Sequence, residues 1–324
     1  MSFLIPKQKW AFKGHESAVK RLLLTPDGKI TISMGENGYL RIMDAETGQI
    51  HHMNHFPMDS HAMDLSSDGA MLALGTLSVF SLTSGTTRRI KNREERWGVV
   101  RHLIFSPDDK DIIFTDDSRF VYLWKGKEKC VVTFCEGHRG GYSSAPLFFP
   151  DGRRLVVCPC HSEMGIYHWE TGQKIAEIPG FINIMAAAFS PDGTKMAVVL
   201  HGASSSVGIY DTETWEGERI LDAHTEMVRQ IVFSPNGKWL ATCSMDRTLI
   251  IWEVQTGKVL KCFKGFRQPI ESFCFSADWS RLVVSTHDSS KIRDENAFCV
   301  MDFDGPNLGE ISDELEYFLR VNRS

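Results

Sequence analysis

The chain has 324 residues, 42% of them hydrophobic, with a formal charge of −5 and a pI near 6.2. The apolar share is enough for a buried core, and the acidic balance excludes a global attraction to nucleic acid or to an anionic membrane. No apolar run is long enough to span a bilayer, and the N-terminal MSFLIPKQKW has no signal-peptide core. The eight cysteines fall mostly inside apolar strand patterns, as free thiols acting as small hydrophobes would. These features predict a cytoplasmic protein in a reducing compartment.

One tetrapeptide punctuates the chain from its N-terminus onward. It reads Thr25-Pro26-Asp27-Gly28, Ser66-Ser67-Asp68-Gly69, Ser106-Pro107-Asp108-Asp109, Phe149-Pro150-Asp151-Gly152, Ser190-Pro191-Asp192-Gly193, Ser234-Pro235-Asn236-Gly237 and Ser276-Ala277-Asp278-Trp279. Asp, Asn and Gly in these places are turn chemistry, and the third residues follow one another at steps of 41, 40, 43, 41, 44 and 42. A second mark recurs as Glu46-Thr47-Gly48, Thr83-Ser84-Gly85, Glu170-Thr171-Gly172 and Gln255-Thr256-Gly257. The sixth copy displays what lies between the marks. Residues 227–233 and 238–244 alternate with period 2, residues 249–254 form a third strand after a tight turn at 245–248, and residues 258–263 form a fourth. A lone antiparallel unit of this size cannot bury both faces. Seven such units must stack on one another, which predicts an all-β repeat architecture.

On these turns and their period the chain resembles the WD40 family over almost its whole length. The resemblance implies a seven-bladed β-propeller over residues 1–306. It also implies that each blade is pinned by a hydrogen-bonded His, Ser or Thr, Asp and Trp. Repeat 6 matches that set with His224, Ser244 (or Thr242), Asp246 and Trp252. The other repeats depart from it. Repeat 1 has His15 but Asn37 and Met43; repeat 3 keeps Trp124; repeat 4 has His138 and Trp169 with Cys160 and Glu163 between them. Repeats 2, 5 and 7 put Phe80, Tyr210 and Met301 at the Trp position.

Further features attach to particular repeats. Trp10–His15 aligns with Lys261–Phe266, the fourth strand and exit of repeat 6, so residues 3–12 are expected to close the last blade as its outer strand, as WD40 propellers do. Repeat 1 ends in His51-His52-Met53-Asn54-His55, which with His61 has the residue types of a zinc site; a surface strand is the plainer reading, since His51 and His52 face opposite sides. Repeat 2 has a shortened second hairpin and is followed by the basic stretch Arg88, Arg89, Lys91, Arg93 and Arg96. Repeat 4 holds Cys158-Pro159-Cys160-His161, with His168, Cys130, Cys135 and His138 nearby, a spacing better suited to core cysteines than to a zinc knuckle. Repeat 5 carries a small polar loop at 202–206, and repeat 7 a long loop at 286–296 of the kind that often serves function. Residues 307–324 are expected to form a short amphipathic C-terminal helix or a tail, with an N-cap at Ser312 and apolar residues Leu315, Phe318 and Leu319.

No nucleophile elbow, dinucleotide fingerprint, phosphate loop or zincin motif occurs in the sequence, so no catalytic residue, cofactor or metal is assigned. The expected function is a non-catalytic scaffold that binds other proteins, monomeric by itself within a hetero-complex. The alternatives are a metal-binding or enzymatic propeller using the His and Cys clusters, and nucleic-acid binding through the 88–101 stretch. In WD40-like propellers two alternate residues at the start of each first strand point to a ligand on the narrow face. Counting back five and seven positions from the first residue of each turn gives an inner set, Lys20, His61, Arg101, Ser144, Met185, Arg229 and Glu271, and an outer set, Ala18, Asp59, Val99, Tyr142, Asn183, Met227 and Pro269. An acidic, partly apolar peptide or loop suits that combination.

Overall fold

The computed structural model describes residues 8–12, 15, 17–56, 60–90, 98–117, 120–126, 130–133, 145–158, 163–200, 205–264, 266, 268–286 and 298–302. Among these, 28 strands form seven four-stranded antiparallel sheets, and no helix occurs. Strand β1 (Gln8–Phe12) comes first. Blade 1 is β2 (Val19–Leu24), β3 (Ile30–Gly35), β4 (Tyr39–Asp44) and β5 (Ile50–His55). Blade 2 is β6 (Met63–Leu65), β7 (Met71–Leu74), β8 (Ser78–Ser81) and β9 (Thr87–Arg89). Blade 3 is β10 (Val100–Phe105), β11 (Ile112–Asp116), β12 (Val121–Lys125) and β13 (Cys130–Thr133). Blade 4 is β14 (Leu147–Phe148), β15 (Arg154–Val157), β16 (Met164–His168) and β17 (Gln173–Ile178). Blade 5 is β18 (Ile184–Phe189), β19 (Lys195–Leu200), β20 (Val207–Asp211) and β21 (Gly217–Leu221). Blade 6 is β22 (Val228–Phe233), β23 (Trp239–Ser244), β24 (Leu249–Glu253) and β25 (Val259–Phe263). Blade 7 is β26 (Ile270–Phe275), β27 (Arg281–Thr286) and β28 (Phe298–Asp302), completed by β1.

The closing strand is observed as Gln8–Phe12, with Phe12 opposite Phe298 and Trp10 opposite Val300. The first strands of neighbouring blades pack on one another at the centre, β2 against both β26 and β6, and β22 against both β18 and β26. The fourth strands form the outer edges. Apolar clusters fill the spaces between blades. Ile32, Met34, Leu40 and Ile42 of blade 1 meet Leu72, Leu74 and Phe80 of blade 2, for example. Burying a side chain of this size stabilises the fold by about 1.5–3 kcal/mol.

The recurring turn works the same way in six copies. The hydroxyl of Thr25, Ser66, Ser106, Ser190, Ser234 or Ser276 donates to the Asp or Asn two residues on at 2.6–2.7 Å. The same hydroxyl accepts the backbone N–H five residues on at 2.9–3.0 Å. Repeat 4, with Phe149 there, keeps the backbone bonds and turns Asp151 to Arg153 N and Arg154 Nε instead. The last turn position has φ near +60 to +70°, which favours glycine. Asp109 and Trp279 adopt φ 58° there without being glycine, and each has a contact of its own. Asp109 accepts the Ser67 N–H of blade 2 at 2.9 Å, and Trp279 stacks on Phe275 at 4.1 Å.

The register corrects one alignment. Trp252 lies opposite Leu240, and the residue in the same place in blade 4, opposite Leu155, is Tyr167. Trp169 lies two residues further on, past the end of β16, and its indole N–H donates to the Gly152 carbonyl at 3.0 Å. His138, Cys160, His161, the loop at 287–296 and the segment 307–324 lie outside the described residues.

Candidate functional site

The pinning network of blade 6 runs in one direction. Trp252 Nε1–H donates to Thr242 Oγ1 at 2.8 Å, the Thr242 hydroxyl meets His224 Nε2 at 2.8 Å, and His224 Nδ1 meets Asp246 Oδ2 at 2.8 Å. Burial holds the His224 pKa below its ordinary value, against the pull of Asp246, so the ring is neutral and its one proton sits on Nδ1. Thr242 is therefore the hydroxyl in the chain. Ser244 is not, because its Oγ donates to the Glu226 carbonyl at 2.9 Å and accepts Asp246 N–H at 3.1 Å. Blade 1 retains the hydroxyl-to-histidine step of this arrangement, His15 Nε2 to Ser33 Oγ at 2.8 Å.

The residues at the start of the first strands share an unexpected feature. In β2, β10, β18, β22 and β26 the ladder shifts by one between the first and third residue. The extra residue is Lys20, Arg101, Met185, Arg229 or Glu271, in every case a member of the inner set. A β-bulge re-aims a side chain out of the pleat. It also breaks the alternation after it: Arg21, His102 and Gln230 are half-buried, while Leu22, Leu103 and Ile231 are buried between blades.

The inner set then divides by electrostatics. Lys20 Nζ lies 3.7 Å from Glu271 and 3.8 Å from Glu36, so two carboxylates neutralise it. Arg101 and Arg229 are exposed and make no ion pair with any described residue. His61 Nε2 is held by the Glu36 carbonyl at 3.1 Å. Met185 is 36% exposed, and Ile182 beside it is 42% exposed. In the outer set Ala18 is buried, and Val99, Asn183, Met227 and Pro269 are half-buried. Asp59, Tyr142 and Ser144 lie outside the described residues.

Below this rim, side chains bridge first strands that do not pair. Gln230 donates to the Phe273 carbonyl and accepts its N–H, both at 3.0 Å. Asp64 of β6 accepts the Phe105 N–H of β10 at 2.8 Å. Burial lifts the Asp64 pKa to about 7, although the Phe105 N–H and Arg21 pull it down.

The histidines of repeat 1 do not converge. His55 packs on Tyr39 and meets the Asn37 carbonyl, His52 packs on Phe80, and His51 is exposed. Among the described residues no three His, Cys, Asp or Glu groups are placed to hold a metal, and no helix is long and apolar enough to cross a membrane. Cys243, Cys262 and Cys274 are free thiols, and burial pushes those of Cys243 and Cys274 well up. Arg88 of the basic stretch lies over the Trp124 ring at 5.3 Å.

Seven four-stranded blades around packed first strands, the last closed by the N-terminal strand, define a β-propeller. Residues 215–253, which contain most of the blade 6 network, match the family model for the WD domain, G-beta repeat. With the sevenfold turn and the ring, this makes the chain a WD40-repeat protein. It is 29% identical over 180 residues to the WD repeat-containing protein VIP3 of Arabidopsis thaliana, covering 51% of this chain and 55% of that one. It is 32% identical over 120 residues to the transcriptional corepressor LEUNIG_HOMOLOG of the same plant, covering 36% of this chain and 15% of that one. It is 24% identical over 267 residues to the serine-threonine kinase receptor-associated protein of Gallus gallus, covering 78% of this chain and 71% of that one. The chain thus spans about half of the first of these relatives and a small part of the second.

Proposed function

We propose that the protein is a non-catalytic interaction scaffold that holds an acidic, partly apolar peptide or loop of a partner protein on the narrow face, where the first strands begin. The observation that carries this reading is the set of five bulges at one register, which present Arg101, Arg229 and Met185 on that face. Two exposed cations without carboxylate partners among the described residues give an acidic ligand its attraction, and Met185 with Ile182 gives it apolar area. Lys20 contributes less, because Glu36 and Glu271 already compensate it. Relatives named as WD repeat-containing and receptor-associated proteins support a role in complexes rather than in catalysis.

The test is the double variant Arg101→Glu, Arg229→Glu. It should retain at least tenfold less of the proteins that wild type captures from a native lysate, a loss of about 1.4 kcal/mol, with an unchanged melting temperature. Equal capture by a folded variant would move the site to the 286–296 loop or to the side of the ring.

A further inference from the structure

The outer strand of blade 1 differs from the others in what it lacks. Strands β1, β9, β17, β21 and β25 each carry a Lys, Arg or Glu, and β13, which carries none, follows directly on Lys127-Glu128-Lys129. Charge on an edge strand keeps it from pairing with another chain. Strand β5 reads Ile50-His51-His52-Met53-Asn54-His55, with no proline and, its histidines being neutral, no formal charge. Its two apolar side chains are exposed, Ile50 at 42% and Met53 at 53%.

The backbone of this edge is open in a particular pattern. Strand β5 is the last of its sheet and is bonded on one side only, to β4. Beyond the extra residue His51, residues 52–55 pair with residues 39–42 in unbroken register. The Phe56 N–H donates to the Gly38 carbonyl at 2.9 Å. Bonded and non-bonded pairs alternate along an antiparallel ladder, so His52 and Asn54 also turn their backbone groups to β4, and Met53 and His55 turn theirs outward. Two open residues with one between them are symmetric about that one, Asn54. A two-fold axis there sets Met53 opposite His55 of a second copy, and His55 opposite its Met53, both as hydrogen-bonded pairs. Every outward N–H and C=O of the two residues then finds a partner. Asn54 faces Asn54, amide to amide, and no like charges are opposed.

We propose that this edge is a self-association surface, on which β5 pairs antiparallel with β5 of a second copy about a two-fold axis at Asn54 and joins two copies of blade 1 into one eight-stranded sheet. The chain is then a dimer at high concentration, not the monomer that its sequence leads one to expect. Five residues a side, 52–56, fall well short of the roughly 20–30 a side of a standard interface, so the dimer is weak and dissociates on dilution. Neither Arg101 nor Arg229 takes part, which makes the pairing independent of the narrow-face reading.

Sedimentation velocity of the full chain, from micromolar to submillimolar concentration, tests the pairing. The sedimentation coefficient should rise towards that of a dimer. Met53→Lys puts a charge on the edge, and Met53→Pro removes an outward N–H while leaving the β4–β5 bonds in place. Each should raise the dissociation constant at least tenfold, Met53→Lys with the wild-type melting temperature. Ile220→Lys, at a side chain 74% exposed on the charged edge β21, should leave it unchanged, as should Arg101→Glu with Arg229→Glu. On mild oxidation Asn54→Cys should give a disulfide-linked dimer at least tenfold faster than Ile220→Cys. A monomer at every concentration would overturn the proposal and leave the edge to a strand of some other protein. A dimer that both Met53 variants leave intact, or equal rates of cross-linking at positions 54 and 220, would overturn it as well.

Discussion

Trp252 and Thr242 are joined by a hydrogen bond of 2.8 Å, and blade 3 lacks its counterpart. Trp124 occupies the place of Trp252, but Phe114 stands where Thr242 would be, six residues after the third turn residue. The Trp124 Nε1–H is buried with no hydrogen-bond partner among the described residues. Phe114 stacks instead on Tyr122 at 4.9 Å. The same tryptophan thus satisfies its polar atom in one blade and offers only its ring, to its packing neighbours and to Arg88, in another.

Trp252→Phe and Trp124→Phe should separate these roles. Both remove similar volume, but the first breaks a bond and the second removes a buried donor that has no acceptor. Trp252→Phe should cost more by about 1–3 kcal/mol, read from denaturant midpoints at equal m. Equal losses would mean that the relay in blade 6 adds nothing beyond packing.

Closure gives a second prediction. Without β1 the last blade is left with three strands and β28 gains an unpaired edge. Deleting residues 1–12 should abolish the cooperative calorimetric melt or cause aggregation. A truncated protein with the wild-type melt would show that the ring holds without its outermost strand in blade 7.

The third prediction concerns Asp64. Its folded pKa of about 7 lies above the roughly 3.9 of an unfolded aspartate. Between those values the folded state binds more protons, so this group makes stability fall as pH rises from about 4 to 7. The turn carboxylates, such as Asp278 held down to about 2 by Ser276 and Ser280, act in the opposite sense, losing their contribution only as pH falls below about 4. Asp64→Asn keeps an acceptor for the Phe105 N–H and removes the titration. Its stability relative to wild type should grow between pH 5 and 7.5; a constant difference would place the carboxyl in water.

The ring was legible because its turn chemistry is local and repeated. The hydroxyl, the Asp or Asn and the glycine act within five residues, so each turn can be recognised without its neighbours. The pinning residues were less legible because they meet across strands. Ser244 and Thr242 are two apart on one strand, and only the ladder tells which one reaches His224. Trp169 drew the alignment of repeat 4 because a tryptophan is conspicuous, whereas the register selects Tyr167. The bulges did leave a trace. Val19, Leu22 and Leu24, like Val228, Ile231 and Phe233, are spaced three and then two apart, not two and two. That broken alternation marks the extra residue and would have drawn in Arg21, His102 and Gln230. The pairing of Lys20 with Glu271 had no such trace, since it joins residues at opposite ends of the chain.

The strand pairing of Phe12 with Phe298 sets a timetable. On a ribosome making roughly 5–20 residues per second, the N-terminal strand waits on the order of 15–60 seconds for its partner to be synthesised. Throughout that interval its backbone donors and acceptors are open to any other edge, including that of a neighbouring nascent chain. Contacts this distant in sequence are also slow to form once both strands exist. Yield in the cell should therefore respond to synthesis rate and chaperone supply more than to the stability of any single blade.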